Sequence, residues 1–165
     1  MPDVQLTQRE ARLVYLATLY HLGRPGSEVD LVTRQPLAAG VTPVSEALAA
    51  YIEEPRAAAV TLALTDYQLG RLGEALLGLV NELKQVDLSG RSVVAGLFEA
   101  LTRVFPDEVG ETGSSGAIDL AGEVTMLRRR LAGAIREAGA ATEAARAAED
   151  AAAASARPWW KWWGG

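Results

Sequence analysis

Apolar residues recur along this chain in runs of helical spacing separated by short breaks. In the first run Leu13, Leu16, Leu19, Tyr20 and Leu22 fall three to four residues apart, the period of one helix face. The stretch Leu6-Thr7-Gln8-Arg9-Glu10 precedes them. Its Thr side chain can accept from the first turn while the Glu three residues on reaches back, which is the capping-box pattern. Gly23, Pro25 and Gly26 cannot extend the run, so a first helix is predicted over residues 8–22. Residues 23–42 then mix Gly, Pro and charge without an apolar period, as a long surface connection does. Its charged residues, Arg24, Glu28, Asp30 and Arg34, are expected to be solvated, although a partner could read them. Pro43 and Ser45 open a short helix through Leu48 and Ile52 that stops before Pro55.

Val60, Leu62 and Leu64 alternate with small residues, the period of a half-buried strand. Thr65-Asp66-Tyr67-Gln68 repeats the capping box, and Leu69, Leu72, Leu76, Leu79, Val80 and Leu83 continue as the most strongly periodic helix of the body. Because Val4–Thr7 and Leu62–Thr65 both lead an extended piece into a capped helix, the two are predicted to pair as a ribbon. Gly70, Gly73 and Gly78 interrupt this helix at about 1 kcal/mol each relative to Ala. Close approach of another backbone is the expected compensation. Gly70-Arg71-Leu72-Gly73 also matches the GxxG of an RNA-clamping loop, but the leucine period places it mid-helix. Val93, Val94, Leu97, Phe98, Leu101 and Val104 predict a further helix from Ser92 to Phe105, closed by Pro106.

Residues 107–116 turn acidic and then rich in Gly and Ser, the composition of a flexible linker. From Ile118 there is no Pro until Pro158, and Ala, Glu and Arg dominate, so one long helix is predicted over residues 117–157. Val124, Leu127, Leu131, Ala134, Ala138, Ala141 and Ala145 form a heptad seam, which makes a coiled coil and a homodimer expected options. The large residues of its first half can pack on the body, whereas the alanines of the second half bury little area each. The predicted fold is therefore mainly α: a small bundle of four to five helices with a short two-stranded ribbon, a long C-terminal helix and an aromatic tail. Its expected units are a helical body over 1–106, a linker over 107–116, the Ala/Arg-rich helix over 117–157 and a Trp-rich tail over 158–165.

Composition sharpens this picture mainly by exclusion. With 165 residues, about half of them apolar, the chain can bury one sizeable core. It has no Cys, which removes disulfides, thiolate metal sites and cysteine nucleophiles. The single His, His21, ends the first helix, where interaction with the helix C-terminus accounts for it. One His without Cys cannot build the usual zinc site, and no ExxH, P-loop or GxSxG pattern occurs. Glu53-Glu54 and Asp107-Glu108 lie beside helix ends or in the linker, as solvated charges do. No catalytic role, cofactor or metal is expected. The start of the chain lacks the basic and apolar pattern of a secretory signal, and charges interrupt every candidate membrane span. A cytoplasmic location, at most peripheral to a membrane, is expected.

Charge and aromatic placement then point to the C-terminal part. Residues 1–115 hold 9 basic and 15 acidic side chains, a net of -6, against 7 and 6 in residues 116–165. Arg128, Arg129, Arg130 and Arg136 could track phosphates, yet three adjacent arginines cannot share one narrow helix face. No aromatic side chains sit among them to stack bases. All four tryptophans, Trp159, Trp160, Trp162 and Trp163, flank Lys161 in the tail. Indole rings suit a membrane interface or the centre of a protein interface. The expected function is a non-catalytic adaptor or assembly protein docking through Trp159, Trp160, Lys161, Trp162 and Trp163 to a protein partner or an anionic membrane surface. The competing expectation is a nucleic-acid-binding accessory protein using the arginine cluster, which the acidic body disfavours.

Overall fold

Alternation in Val4-Gln5-Leu6 and Val60-Thr61-Leu62 is the local signal for extended chain, and the two segments meet. In the computed structural model, β1 (Asp3–Thr7) and β2 (Ala59–Ala63) form a two-stranded antiparallel sheet with Val4 opposite Leu62 and Leu6 opposite Val60. The structure describes residues 3–28, 37, 40–54, 57–89, 91–109 and 116–155, with side chains omitted at 134–135, 137–143, 145–146 and 149–155. Each strand feeds a helix. Thr7 caps α1 (Gln8–Leu22) in a complete capping box, its hydroxyl accepting from the Glu10 N–H while Glu10 accepts from the Thr7 N–H at 2.9 Å. Thr65 and Gln68 do the same ahead of α3 (Asp66–Ser89). Between them lies α2 (Thr42–Glu53), with Pro43 in its first turn. α4 (Leu97–Val104) and α5 (Ala117–Ser155) complete a mainly helical bundle.

The core is one cluster. Leu13 and Leu16 of α1, Leu48 of α2, Leu72, Leu76 and Leu79 of α3, and Leu101 of α4 are buried together with Leu120, Val124, Leu127 and Leu131 of α5. The first half of α5 therefore belongs to the same hydrophobic core as the body. The segment after α4 packs as well. Phe105 and Val109 are buried and Glu108 bonds Arg9, so residues 107–109 lie against the bundle; residues 110–115 fall outside the described residues.

Three local expectations need correction. The fourth helix starts at Leu97 rather than Ser92. Buried Glu82 accepts from the Ser92 hydroxyl and the Val93 N–H, both at 2.6 Å, which ties this segment to α3. Gly96 then adopts a left-handed φ of 76° and delays the helix to the next residue. Second, no backbone closes on Gly70 or Gly73, where an added Cβ would meet open space. Gly78 alone is crowded, and by a side chain: a Cβ there would overlap the Tyr20 ring. Third, Glu28 in the long connection is buried rather than solvated. Asp30 and Arg34 lie outside the described residues.

Candidate functional site

The arginines of α5 are held by two different environments. The Arg128 side chain donates to the Gly73 carbonyl of α3 at 3.2 Å. Arg130 donates to the Gln5 carbonyl of β1 and pairs with Glu10 at 2.9 Å. These two fasten α5 to the ribbon and its neighbouring helices. Arg129 and Arg136 are exposed and have no ion pair among the described residues. They are separated by seven residues, two turns along one face. Nearly two turns before Arg129, Glu123 accepts from Arg9 Nε and Nη2 at 2.6 and 2.8 Å, while Arg9 Nη1 reaches Glu108 at 2.7 Å and the guanidinium lies over the Phe105 ring. These hydrogen bonds to Arg9 hold the Glu123 carboxyl below the usual carboxylate range, and they raise Arg9 in turn. The cluster thus divides into two anchoring cations and two without an ion pair among the described residues. Trp159, Trp160, Lys161, Trp162 and Trp163 lie outside the described residues.

A buried polar pair absent from the sequence expectations sits at the end of α1. His21 Nε2 lies 3.0 Å from Glu28 Oε1, and both side chains are 7% exposed. The other carboxylate oxygen accepts from the Val41 N–H at 2.9 Å, directly before α2. The Glu28 carbonyl accepts from the Leu37 N–H, and its backbone is left-handed, with φ 55°. One residue thus bridges the end of α1 and the start of α2, and a side chain on Gly40 would collide with it. A depression beside the pair is lined by His21, Arg24, Ser27, Arg71 and Glu74. Its cations are occupied: Arg71 pairs with Glu74 at 2.9 Å, and Arg24 lies over the Tyr20 ring. The Ser27 hydroxyl donates to the Arg24 carbonyl rather than to His21. His21 Nδ1 is buried and has no hydrogen-bond partner among the described residues. The geometry is that of a latch across the connection. Each pair joins a helix residue to one beyond that helix's end, His21 to Glu28 past Leu22 and Glu82 to Ser92 past Ser89, where no period carries across, so pattern reading passes over both.

A further concave surface runs along α1. Arg12, Tyr15, Leu19 and Leu22 form a stripe at steps of three and four that is only half covered. α2 walls it with Ile52 and α4 walls it with Arg103. Among the described residues no group of three metal-binding side chains comes together, and no helix is long and apolar enough to cross a membrane. Comparison of the chain with protein-family models, curated proteins and solved structures finds no significant match.

Proposed function

We propose that the chain is a non-catalytic adaptor whose helical body carries an arm, and that the arm presents Trp159, Trp160, Lys161, Trp162 and Trp163 to an anionic membrane surface or a protein partner. The supporting observation is the division of α5 at Leu131. Up to that residue its apolar face is buried in the body. Beyond it Ala132, Arg136, Ala144, Ala147 and Ala148 are all exposed. The helix continues to Ser155, a reach of about 36 Å at 1.5 Å per residue. Alanine sustains such a helix through intrinsic propensity rather than burial. Since Val124, Leu127 and Leu131 are engaged in their own body, pairing with a second copy would fall to the alanine-rich remainder. The reading as a nucleic-acid accessory protein loses Arg128 and Arg130 to intramolecular anchoring.

A membrane is the first surface to test, because Arg157 and Lys161 add attraction for anionic headgroups to the interfacial preference of indole. Sedimentation with anionic and with neutral vesicles would compare the full chain with one ending at Arg157. The full chain alone is expected to pellet, and preferentially with anionic vesicles. Every tryptophan lies in the tail, so Trp-selective fluorescence reads its environment without a signal from the body. A blue shift on adding vesicles is the matching result. If neither chain pellets, the membrane is eliminated and the tail becomes bait for a protein.

A further inference from the structure

The stripe on α1 is an unfinished helix interface. Tyr15, Leu19 and Leu22, each partly buried against the core, line two adjoining depressions of about 260 and 570 Å³ that share Tyr15 and Arg103, the first between α2 and α4 and the second beside α4 and the segment before it. From Arg12 to Leu22 the trough extends about 15 Å, the length of nearly three helical turns. At its Tyr15 end helices stand on both sides, α2 with Ile52 and α4 with Val104, so a further helix laid there would gain apolar contact from three directions, as in helix-in-groove recognition.

Charge selects the occupant. Arg9, Arg71 and Arg130 each have a carboxylate partner, whereas Arg12 and Arg103, which line the trough, have none among the described residues. Arg12 Nε is buried without a hydrogen-bond partner among the described residues, an arrangement that costs free energy until an acceptor arrives. The trough also contains Glu53 beside Ile52 and Glu99 toward its other end, so its two cations share it with two acids. Glu53 and Glu99 are exposed and can turn to solvent or meet a base on the incoming helix; the buried Arg12 Nε cannot. We infer that the trough formed by Arg12, Tyr15, Leu19 and Arg103 docks an amphipathic helix of a partner protein that carries a carboxylate within its apolar stripe. That carboxylate lies between the Arg12 and Arg103 guanidiniums, and its neighbours cover Tyr15, Leu19 and Leu22. This extends the adaptor reading by giving the body its own partner, distinct from the surface met by the tail.

The test uses the full chain and two labelled helical peptides with identical leucine and alanine stripes, one bearing two central glutamates and the other two lysines. Fluorescence anisotropy is expected to show binding of the glutamate peptide that weakens with salt, and at least about ten-fold weaker binding of the lysine peptide. In the double variant Arg12→Glu, Arg103→Glu this preference should reverse. If that variant melts earlier than the parent chain, a photo-crosslinker placed between the peptide's glutamates is read on the parent instead, with attachment expected on α1 or α4 around Tyr15 and Arg103. Equal affinity for both peptides, crosslinking elsewhere, or no binding up to about 1 mM overturns the inference. A chain that is dimeric in solution and becomes monomeric with Leu19→Lys overturns it too, by giving the trough to a second copy. Vesicle sedimentation of the Arg12→Glu, Arg103→Glu chain separates this outcome from the tail reading, since a membrane-docking tail still pellets when the trough is altered.

Discussion

Replacing Leu127 by Ala tests whether α5 is a structural part of the body or an appendage lying on it. Leu127 is 3% exposed and belongs to the same buried cluster as Leu72, Leu76 and Leu79, whereas its neighbour Met126 is 63% exposed. Removing a buried leucine side chain forfeits its transfer free energy and leaves a cavity, together about 2–5 kcal/mol. A middle value of about 3 kcal/mol lowers the Tm of a domain this size by roughly 6–12 °C. Met126→Ala, on the same turn, should stay within about 0.5 kcal/mol. Far-UV circular dichroism measures the global melt, and amide hydrogen exchange at Leu72 and Leu76 measures the body separately. If α5 shares the core, Leu127→Ala lowers protection at those α3 amides by as much as it lowers global stability. If α3 protection is unchanged while only helical signal is lost, α5 undocks independently. The common core, and with it a rigid base for the arm, would then be refuted.

The latch predicts that Glu28→Gln, which retains one good acceptor where two are needed, destabilises by about 1–3 kcal/mol in denaturant unfolding; an unchanged midpoint would mean that water replaces the carboxylate without loss. Gly73→Ala should stabilise by about 0.5–1 kcal/mol because its methyl enters open space, while Gly78→Ala should gain less or lose stability by displacing the Tyr20 ring, and thermal melts of the pair decide the order. Glu123 titrates lower in the folded chain than in the unfolded one, so its contribution is present above the ordinary carboxylate value, about 4.3, and disappears as the pH falls through the lower folded value. Glu123→Gln should therefore reduce stability at neutral pH, by less than about 1 kcal/mol for so exposed a pair, and match the parent chain in strong acid. Urea titrations across that range check both limbs.

Legibility in the sequence follows from how local each interaction is. The two capping boxes close within three residues, and the structure has them where the pattern predicts, with α1 beginning at Gln8. Ribbon pairing was readable because two short alternating segments each run into such a cap, but the second strand is Ala59–Ala63 rather than Leu62–Thr65, so its register, with Val4 and Leu6 against Leu62 and Val60, was not. The start of α4 was hidden because its apolar period continues backward through Val94 and Val93. What ends that period is Glu82, a residue of another helix, taking the Ser92 hydroxyl and Val93 N–H. His21 and Glu28 were hidden for the same reason: a histidine at a helix end and a glutamate in a loop each look complete without the other. Buried polar ties of this kind are specified by three-dimensional adjacency, which periodicity does not encode.

The same limit produces the trough. An apolar helix arc records which residues avoid water, but not how much of that avoidance the chain can provide for itself. Leu13, Leu16, Leu19, Tyr20 and Leu22 look equivalent in the sequence, yet Leu13 and Leu16 are buried while Leu19, Tyr20 and Leu22 are only partly covered. α1 is flanked by α2, α3 and α4, and α4 is a helix of eight residues, too short to cover the whole arc. Had α4 begun at Ser92 it would have carried five further residues, about one and a half turns, toward Leu22. The Glu82 tie and the left-handed Gly96 prevent this, and they leave depressions lined by Leu19, Leu22, Ala95 and Gly96. The contact that defeats the sequence reading of α4 is thus also the one that leaves part of α1 uncovered. Rebuilding that turn links the two: Gly96→Ala, which disfavours the left-handed backbone, should extend α4, narrow the trough and weaken binding of the glutamate peptide without touching Arg12 or Arg103.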